Sequence, residues 1–118
     1  MSVLVAVGEG AEGAAALTAG ADEAARLGTD LVVLNLTLHR LDLTGPAGAT
    51  GVTLVERVGP GDRDPVDAVL DEIDLRGDVA RLVIGLRRRS RLSKALLGSV
   101  SQRLLLESPV PVLAVKPD

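Results

Sequence analysis

The chain of 118 residues contains no cysteine, no phenylalanine, tyrosine or tryptophan, and a single histidine, His39. Without cysteine, disulfides, thiol catalysis and thiolate metal sites are excluded, and one histidine cannot build a multi-histidine metal site. Without aromatic rings there is no platform on which nucleic acid bases could stack. The core must therefore be aliphatic, and the sequence supplies 21 leucines, 16 valines and 2 isoleucines to fill it.

Long apolar runs are also missing. No segment approaches the roughly 20 apolar residues that a membrane span needs, and the N-terminal residues 1–4 carry no basic segment typical of a signal peptide. We therefore expect a cytoplasmic protein with no membrane partner. The length fits one domain over residues 1–118, and a hydrophobic content of 47% with 25% charged residues is typical of globular proteins.

The net charge of −3 is unevenly distributed. Residues 1–80 hold 14 acidic and 5 basic side chains, whereas residues 81–118 hold 2 acidic and 8 basic ones. The cations concentrate in Arg87, Arg88, Arg89, Arg91 and Lys94. Such a cluster on an acidic chain indicates a local anion site rather than a nucleic acid-binding surface, for which no motif is present. The alternative is a solvated loop that keeps the protein soluble.

Hydrophobic periodicity predicts five strands and three helices. The strands are expected over Ser2–Val7, Leu31–Leu36, Gly51–Val58 and Leu82–Gly85, and in a last segment that ends at Val115. The helices are expected over Glu12–Leu27, from Asp64-Pro65 to Gly77, and from Gly98-Ser99 onward. The order β-α-β-β-α-β-α-β predicts an α/β fold with one open, mainly parallel sheet and helices on both faces. Residues 37–50 are predicted to form a loop.

The same pattern predicts which side chains face the core. In the first helix the expected stripe is Ala14, Leu17, Ala21, Ala24 and Ala25, and in the second it is Val66, Val69, Leu70 and Ile73. Val52 and Leu54 of the third strand and Leu104 and Leu105 of the last helix are also expected to point inward. Pro109 and Pro111 favour an outer position for the last strand, because proline cannot donate to a sheet ladder.

Two glycine-containing loops follow predicted strands and could hold phosphate. Gly8, Gly10 and Gly13 match the dinucleotide-binding fingerprint, but no acid stands at the end of the second strand to hold a ribose. In the second loop, Gly85 ends a strand and Gly98-Ser99 opens a helix, whose free N–H groups favour anions. The alternative for this second loop is a plain turn and helix cap.

Three segments resemble the universal stress protein family over nearly the whole chain. They are Val3–Val7 with the alanine-rich helix behind it, Leu82–Gly85 with Leu96–Ser101, and the ending Ser108–Val115. The resemblance implies a five-stranded parallel sheet in the order 3-2-1-4-5, shortened here between strands two and three. It also implies a homodimer paired through the last strand, Val110–Val115.

One branch of this family binds ATP through a glycine pattern that maps onto Gly85, position 88 and Gly98-Ser99. Arg88 stands here in place of a glycine, where its side chain would either block the site or point outward and clamp phosphate. Gly8 takes the place of an aspartate that meets the adenosine. The resemblance implies that Leu36 contacts adenine. With a phosphate at the start of the last helix, we expect Gly98, Ser99 and Val100 to donate to it, Gly85 to permit its close approach, and Arg87 to Arg91 to neutralise its charge. The expected ligand is therefore ATP, with Mg²⁺ as companion.

Two other classes of function remain open. The departures at Gly8 and Arg88 favour a nucleotide-free dimeric stress-response module, in which the apolar last strand is the contact surface. An enzyme is least favoured, because Ser90, Ser93, Ser99 and Ser101 offer hydroxyls without an acid–base constellation beside them. At most slow ATP hydrolysis is expected.

Overall fold

The computed structural model describes residues 1–37, 39–41, 51–56, 64–86 and 99–117. In chain order the elements are β1 (Ser2–Val7), α1 (Gly10–Leu27), β2 (Asp30–Asn35), β3 (Val52–Glu56), α2 (Pro65–Arg76), β4 (Val79–Gly85), α3 (Ser99–Glu107) and β5 (Val112–Val115). The predicted order of strands and helices is confirmed. The predicted loop over 37–50 and the end of the third strand at Val58 lie largely outside the described residues.

The five strands form one sheet in the order β3-β2-β1-β4-β5, and every pairing is parallel. The predicted fold class is therefore confirmed, including the outer position of β5. The chain passes from β1 outward to β3 and then returns to place β4 on the other side of β1. This reversal creates a crevice between the carboxyl ends of β1 and β4, where ligands bind in open parallel sheets.

Alternation along the strands divides the interior into two aliphatic layers. Val3, Val5 and Val83 belong to the layer under α1. Leu4 and Leu82 belong to the layer under α2 and α3, which contribute buried residues of their own. The residues contributed by these two helices are Val66, Ala68, Val69, Ile73 and Leu104. Helices therefore cover both faces of the sheet, as predicted.

Local signals placed the start of α2 and the ends of α1 and α2, whereas α1 begins at Gly10, two residues before the predicted start. Asp64 caps α2, because its Oδ1 accepts a hydrogen bond from the Val66 amide at 2.8 Å, and Pro65 occupies the first helical position. Gly28 and Gly77 follow α1 and α2 in the left-handed conformation, with φ of 67° and 69°. This is the backbone geometry in which glycine ends a helix without steric cost.

Several predicted core positions are wrong. Leu105 is 37% exposed because it lies about 100° around α3 from Leu104, which is buried. Leu54 is 39% exposed, since β3 is an edge strand and α1 packs mainly over β1 and β4. Ala14 and Ala25 are also exposed.

The buried stripe of α1 contains two glycines that a hydrophobicity pattern does not count. Its buried residues are Gly13, Ala16, Leu17, Gly20, Glu23 and Ala24. A Cβ added to Gly20 would lie 2.9 Å from the Cβ of Val5, so the helix backbone rests directly on β1 there. The buried face of α1 is therefore determined by the close approach of the helix backbone to β1, and not by large apolar side chains.

Candidate functional site

A cleft of about 470 Å³ opens at the carboxyl ends of the strands, at the reversal between β1 and β4. In chain order it is lined by Ala6, Gly8, Glu9, Glu12, Gly13, Leu36, Pro65, Ile84, Gly85, Ser99, Val100, Ser101 and Leu104. These residues come from the ends of β1, β2 and β4 and from the N-terminal parts of α1, α2 and α3. The volume lies within the range of small-molecule sites, about 300–1,000 Å³.

Five of the eight residues predicted for the site line this one cleft. They are Gly8, Leu36, Gly85, Ser99 and Val100, which the fold collects from four separate parts of the chain. The other three, Arg87, Arg88 and Gly98, lie outside the described residues.

The two glycines that end β1 and β4 have different surroundings. A Cβ added to Gly85 would overlap the main-chain carbonyl oxygen of Glu12, so glycine is required there for α1 to approach β4. A Cβ added to Gly8 would meet no atom within 4 Å. Gly85 is therefore explained by helix packing alone, whereas Gly8 leaves open space in the cleft.

The first turn of α1 is poorly suited to a phosphate. A Cβ added to Gly13 would overlap the carbonyl oxygen of Gly8, so the last glycine of the fingerprint serves helix–strand packing. The carboxylate of Glu12 lies over the first turn, since its Oε2 would be 3.3 Å from a Cβ added to Gly10. This negative charge occupies the place where the helix dipole would attract an anion.

The first turn of α3 has the opposite character. It contains no acidic residue and presents Ser99, Val100 and Ser101 to the cleft. The Ser101 hydroxyl donates a hydrogen bond to the Gly85 carbonyl oxygen at 3.3 Å, which ties α3 to the end of β4. The main-chain N–H groups and the positive end of the helix dipole make this the part of the cleft that favours an anion.

Leu36 is held at the opposite end of the cleft by main-chain and side-chain hydrogen bonds. Its amide donates to the Val7 carbonyl oxygen at 2.9 Å. The buried side chain of Asn35 shapes the turn that follows: Nδ2 donates to the His39 carbonyl oxygen at 2.8 Å, and Oδ1 accepts from the Thr37 amide at 2.9 Å. Nδ2 also donates to Glu56 Oε2 at 2.9 Å and Oδ1 also accepts from the Thr37 hydroxyl at 2.6 Å, so both ends of this buried amide are satisfied and the segment after β2 is fixed.

Asp64 links the two helices on one face of the cleft. Its Oδ2 pairs with a guanidinium nitrogen of Arg103 on α3 at 3.1 Å. The hydrogen bond from the Val66 amide, with the bond from Arg103 beside it, lowers the pKa of Asp64 below its usual range. The carboxylate stays charged at neutral pH and connects the start of α2 to α3.

Among the lining residues that sequence reasoning did not assign to the site are Glu9, Glu12, Pro65 and Ser101. Ser101 and Pro65 carry a usable signal, because each stands in the first turn of a helix that follows the carboxyl end of a strand. The position of Glu9 and Glu12 in the cleft could not be predicted from the sequence, because it depends on how α1 packs against the sheet.

Within the described ranges we find neither a metal-ligand cluster nor a membrane-spanning helix. Within them no three acidic or histidine side chains come together as metal ligands. None of the helices found there is long and apolar enough to cross a membrane.

The sequence of residues 42–116, more than half of the chain, matches the profile of the universal stress protein family. The chain belongs to this family. A universal stress protein from Mycolicibacterium smegmatis (strain ATCC 700084 / mc(2)155) is 40% identical over 127 aligned positions, which cover 97% of this chain and 98% of the relative. The resemblance predicted from the sequence is thus confirmed.

Two solved structures share the fold and contain adenine nucleotides. A universal stress protein in complex with cAMP superposes with a TM-score of 0.69 at 24% identity, covering 97% of this chain and 94% of that chain. The universal stress protein from Archaeoglobus fulgidus in complex with dAMP superposes with a TM-score of 0.61 at 24% identity, covering 97% and 96%. Related universal stress proteins therefore bind adenine nucleotides.

Proposed function

We propose that this universal stress protein binds an adenine nucleotide, ATP with Mg²⁺, in the cleft between the ends of β1 and β4. The base lies against Leu36 and the phosphates lie at the first turn of α3. One observation carries the proposal: a single cleft has an apolar contact at one end and an acid-free helix N-terminus with two serines at the other. That polarity matches a ligand with a flat base and an anionic tail.

The residues present fit such a ligand. The open space at Gly8 leaves room beside Leu36 for a ring system, and Val100 and Leu104 add apolar surface. Ser99 brings a hydroxyl donor next to the free N–H groups of α3, whereas the Ser101 hydroxyl donates to the Gly85 carbonyl oxygen and positions the helix. The cAMP and dAMP of the two related structures support the adenine class, since each carries an adenine and one phosphate.

The preference for a triphosphate rests on charge. Arg87 and Arg88 follow β4 after a single intervening residue, Leu86. Hydrogen bonds from guanidinium groups to phosphate are charge-assisted and therefore stronger than neutral ones. Two neighbouring arginines suit a ligand with several phosphates, and Mg²⁺ would offset part of the negative charge that remains.

Isothermal titration calorimetry tests the proposal, because the chain has no tryptophan or tyrosine whose fluorescence could report binding. We expect a dissociation constant for ATP with Mg²⁺ in the micromolar range. The double variant Arg87→Gln, Arg88→Gln should weaken ATP binding roughly tenfold or more, since hydrogen bonds to charged groups contribute about 1.5–3 kcal/mol each. Adenosine binding should not change in this variant.

A matched control removes one exposed cation elsewhere. Arg40→Gln, at an exposed position after β2, should leave ATP affinity unchanged. Absence of a heat signal at several temperatures, with no nucleotide co-purifying, would contradict the proposal.

A second candidate function, a dimeric interaction module without a nucleotide, is favoured by the state of β5. This strand lies at the edge of the sheet and its four apolar residues, Val112–Val115, are only half-buried. An exposed apolar edge invites pairing with a second copy. The proposed homodimer through Val110–Val115 belongs to this candidate, and it is also compatible with nucleotide binding.

The oligomeric state tests the β5 contact. The Val115 carbonyl oxygen accepts from the Leu86 amide, so the polar groups of Ala114 point away from β4 by the alternation of a parallel ladder. Ala114→Pro should therefore block the outer edge and keep the β4–β5 pairing. Light scattering should give a dimer for the original chain and a monomer for the variant, and a monomeric original chain at micromolar concentration would contradict the contact.

A further inference from the structure

We propose that Glu12 binds the ribose hydroxyls of the nucleotide and so makes the site selective for ribonucleotides over deoxyribonucleotides. The inference rests on the proposed function, because it assigns a part of that same ligand to a residue of the same cleft. It concerns a carboxylate that contributes nothing to phosphate binding and would oppose it by charge.

The position of Glu12 follows from the two ends of the cleft. A base at Leu36 and phosphates at α3 leave the sugar between them, where Gly8 and Gly85 end the two central strands. Glu12 packs its main-chain carbonyl oxygen against Gly85, and its half-buried side chain lines the cleft. The sugar of a bound nucleotide would therefore pass this carboxylate.

The other carboxylate of the cleft is directed elsewhere. Glu9 is exposed, and its Oε2 lies 4.0 Å from Nε2 of His39, on the segment that follows β2. That segment lines a second, smaller pocket on the α1 side of β1, together with Glu9. Glu12 is the carboxylate nearer to β4: its Cβ lies against Gly85, and its carboxylate lies over the first turn of α1 at the cleft.

The chemistry of a carboxylate suits a vicinal diol. Two adjacent ribose hydroxyls are donors, and an ionised carboxylate offers two oxygens with about four acceptor positions. Glu12 also interacts within the protein, and the ribose hydroxyls would share its carboxylate with that interaction. Bonds to a charged acceptor are stronger than neutral ones, so the loss of a hydroxyl should lower affinity measurably.

Calorimetric titrations with ATP, 2′-deoxy-ATP and 3′-deoxy-ATP test the assignment. The original chain should bind ATP roughly tenfold more tightly than at least one of the deoxy analogues. In Glu12→Ala this ratio should fall to about one. Glu12→Gln, which keeps the size of the side chain and one neutral acceptor, should give an intermediate ratio and serves if the alanine variant is less stable.

Asp22→Asn is the matched control, since Asp22 is an exposed carboxylate on the same helix outside the cleft. It should leave the ratio unchanged. Equal affinity of the original chain for all three nucleotides would overturn the inference while the proposed function stands. A ratio that persists in both Glu12 variants would also overturn it, and failure of all three nucleotides to bind would overturn the proposed function itself.

Discussion

At the scale of single residues, the glycines around the cleft have two distinct physical roles. Gly13 and Gly85 lack a Cβ because backbone atoms of Gly8 and Glu12 occupy that space. Gly8 has open space instead. These roles separate the packing of α1 on the sheet from the volume available to a ligand, and each can be tested by substitution.

The variant Gly85→Ala should destabilise the protein. The added methyl group would overlap the Glu12 carbonyl oxygen, and overpacking of this kind costs about 1–3 kcal/mol. Urea unfolding followed by far-ultraviolet circular dichroism measures the change in the free energy of unfolding. Gly8→Ala is the control and should change it little, so equal losses in the two variants would show that the close approach of α1 is not required.

The variant Gly8→Leu should block ligand binding and leave the fold intact. The leucine side chain would extend into the cleft beside Leu36, where no atom lies within 4 Å of the Cβ position. We expect ATP affinity to drop at least about tenfold, the equivalent of roughly 1.4 kcal/mol, with little change in thermal stability. Undiminished ATP binding would place the ligand outside this cleft.

At this scale the sequence singled out Gly8, Gly13 and Gly85, but it missed Gly20 and could not distinguish helix packing from space for a ligand. The spacing Gly8-x-Gly10-x-x-Gly13 is the same whether a phosphate or a strand approaches the helix. The structure distinguishes the two cases through the overlap at Gly13 and the carboxylate of Glu12 over the first turn of α1. Such contacts depend on residues far apart in sequence, such as Glu12 and Gly85.

At the scale of secondary structure elements, an ion-pair cluster holds α1 to β4. The buried carboxylate of Glu23 accepts two hydrogen bonds from Arg26, at 3.0 and 2.9 Å, and pairs with Arg81 on β4. The hydrogen bond from Arg26 is the main cause that lowers the pKa of Glu23 below its usual range, and Arg81 adds to it. Glu23 therefore remains ionised in the folded protein at neutral pH.

This cluster predicts a specific loss of stability in acid. A carboxyl group whose pKa is lowered by folding stabilises the protein above its unfolded pKa, and this contribution is lost as the pH falls below about 4.3. At pH 7 the midpoint of thermal unfolding should be lower in Glu23→Gln than in the original chain. Between neutral and acidic pH this midpoint should decrease less in the variant than in the original chain. Asp22→Asn, at an exposed neighbouring position, should retain the steeper decrease, and identical pH profiles for the Glu23 variant and the original chain would contradict the assignment.

Element boundaries with local causes were predictable, and buried faces with distant causes were not. Asp64 and Pro65 start α2 through contacts within one turn, so the sequence alone placed that start. Ala14 was expected in the core and is exposed, whereas Gly13 is buried, because the rotation of α1 is set by backbone packing on β1. Periodicity counts apolar side chains and cannot count a glycine that fits against a strand.

At the scale of the whole molecule, the topology of the sheet and the distribution of charge along the sequence favour the same class of ligand. The strand order places the ends of β1 and β4 side by side, and all three helices begin at that edge. The basic residues of the chain concentrate between the end of β4 and the start of α3, in an otherwise acidic protein. An anionic ligand at the start of α3 is the occupant that this arrangement favours.

Most of this arrangement was predictable at the whole-molecule scale. The order of strands and helices follows from periodicity, and the strand order 3-2-1-4-5 followed from the family resemblance and is confirmed. The cleft residues Glu12 and Ser101 were not assigned to the site, because their roles depend on how α1 and α3 sit against Gly85.

A titration of ¹⁵N-labelled protein with ATP and Mg²⁺, followed by amide chemical shifts, tests the central claim most directly. The account predicts saturable shifts that are largest at Gly8, Leu36, Gly85 and Ser99–Ser101, which lie in four separate parts of the sequence and meet only at the cleft. The distant edge strand β3 should change least. Shifts concentrated at β3 or β5, or no saturable shifts at all, would contradict nucleotide binding in this cleft.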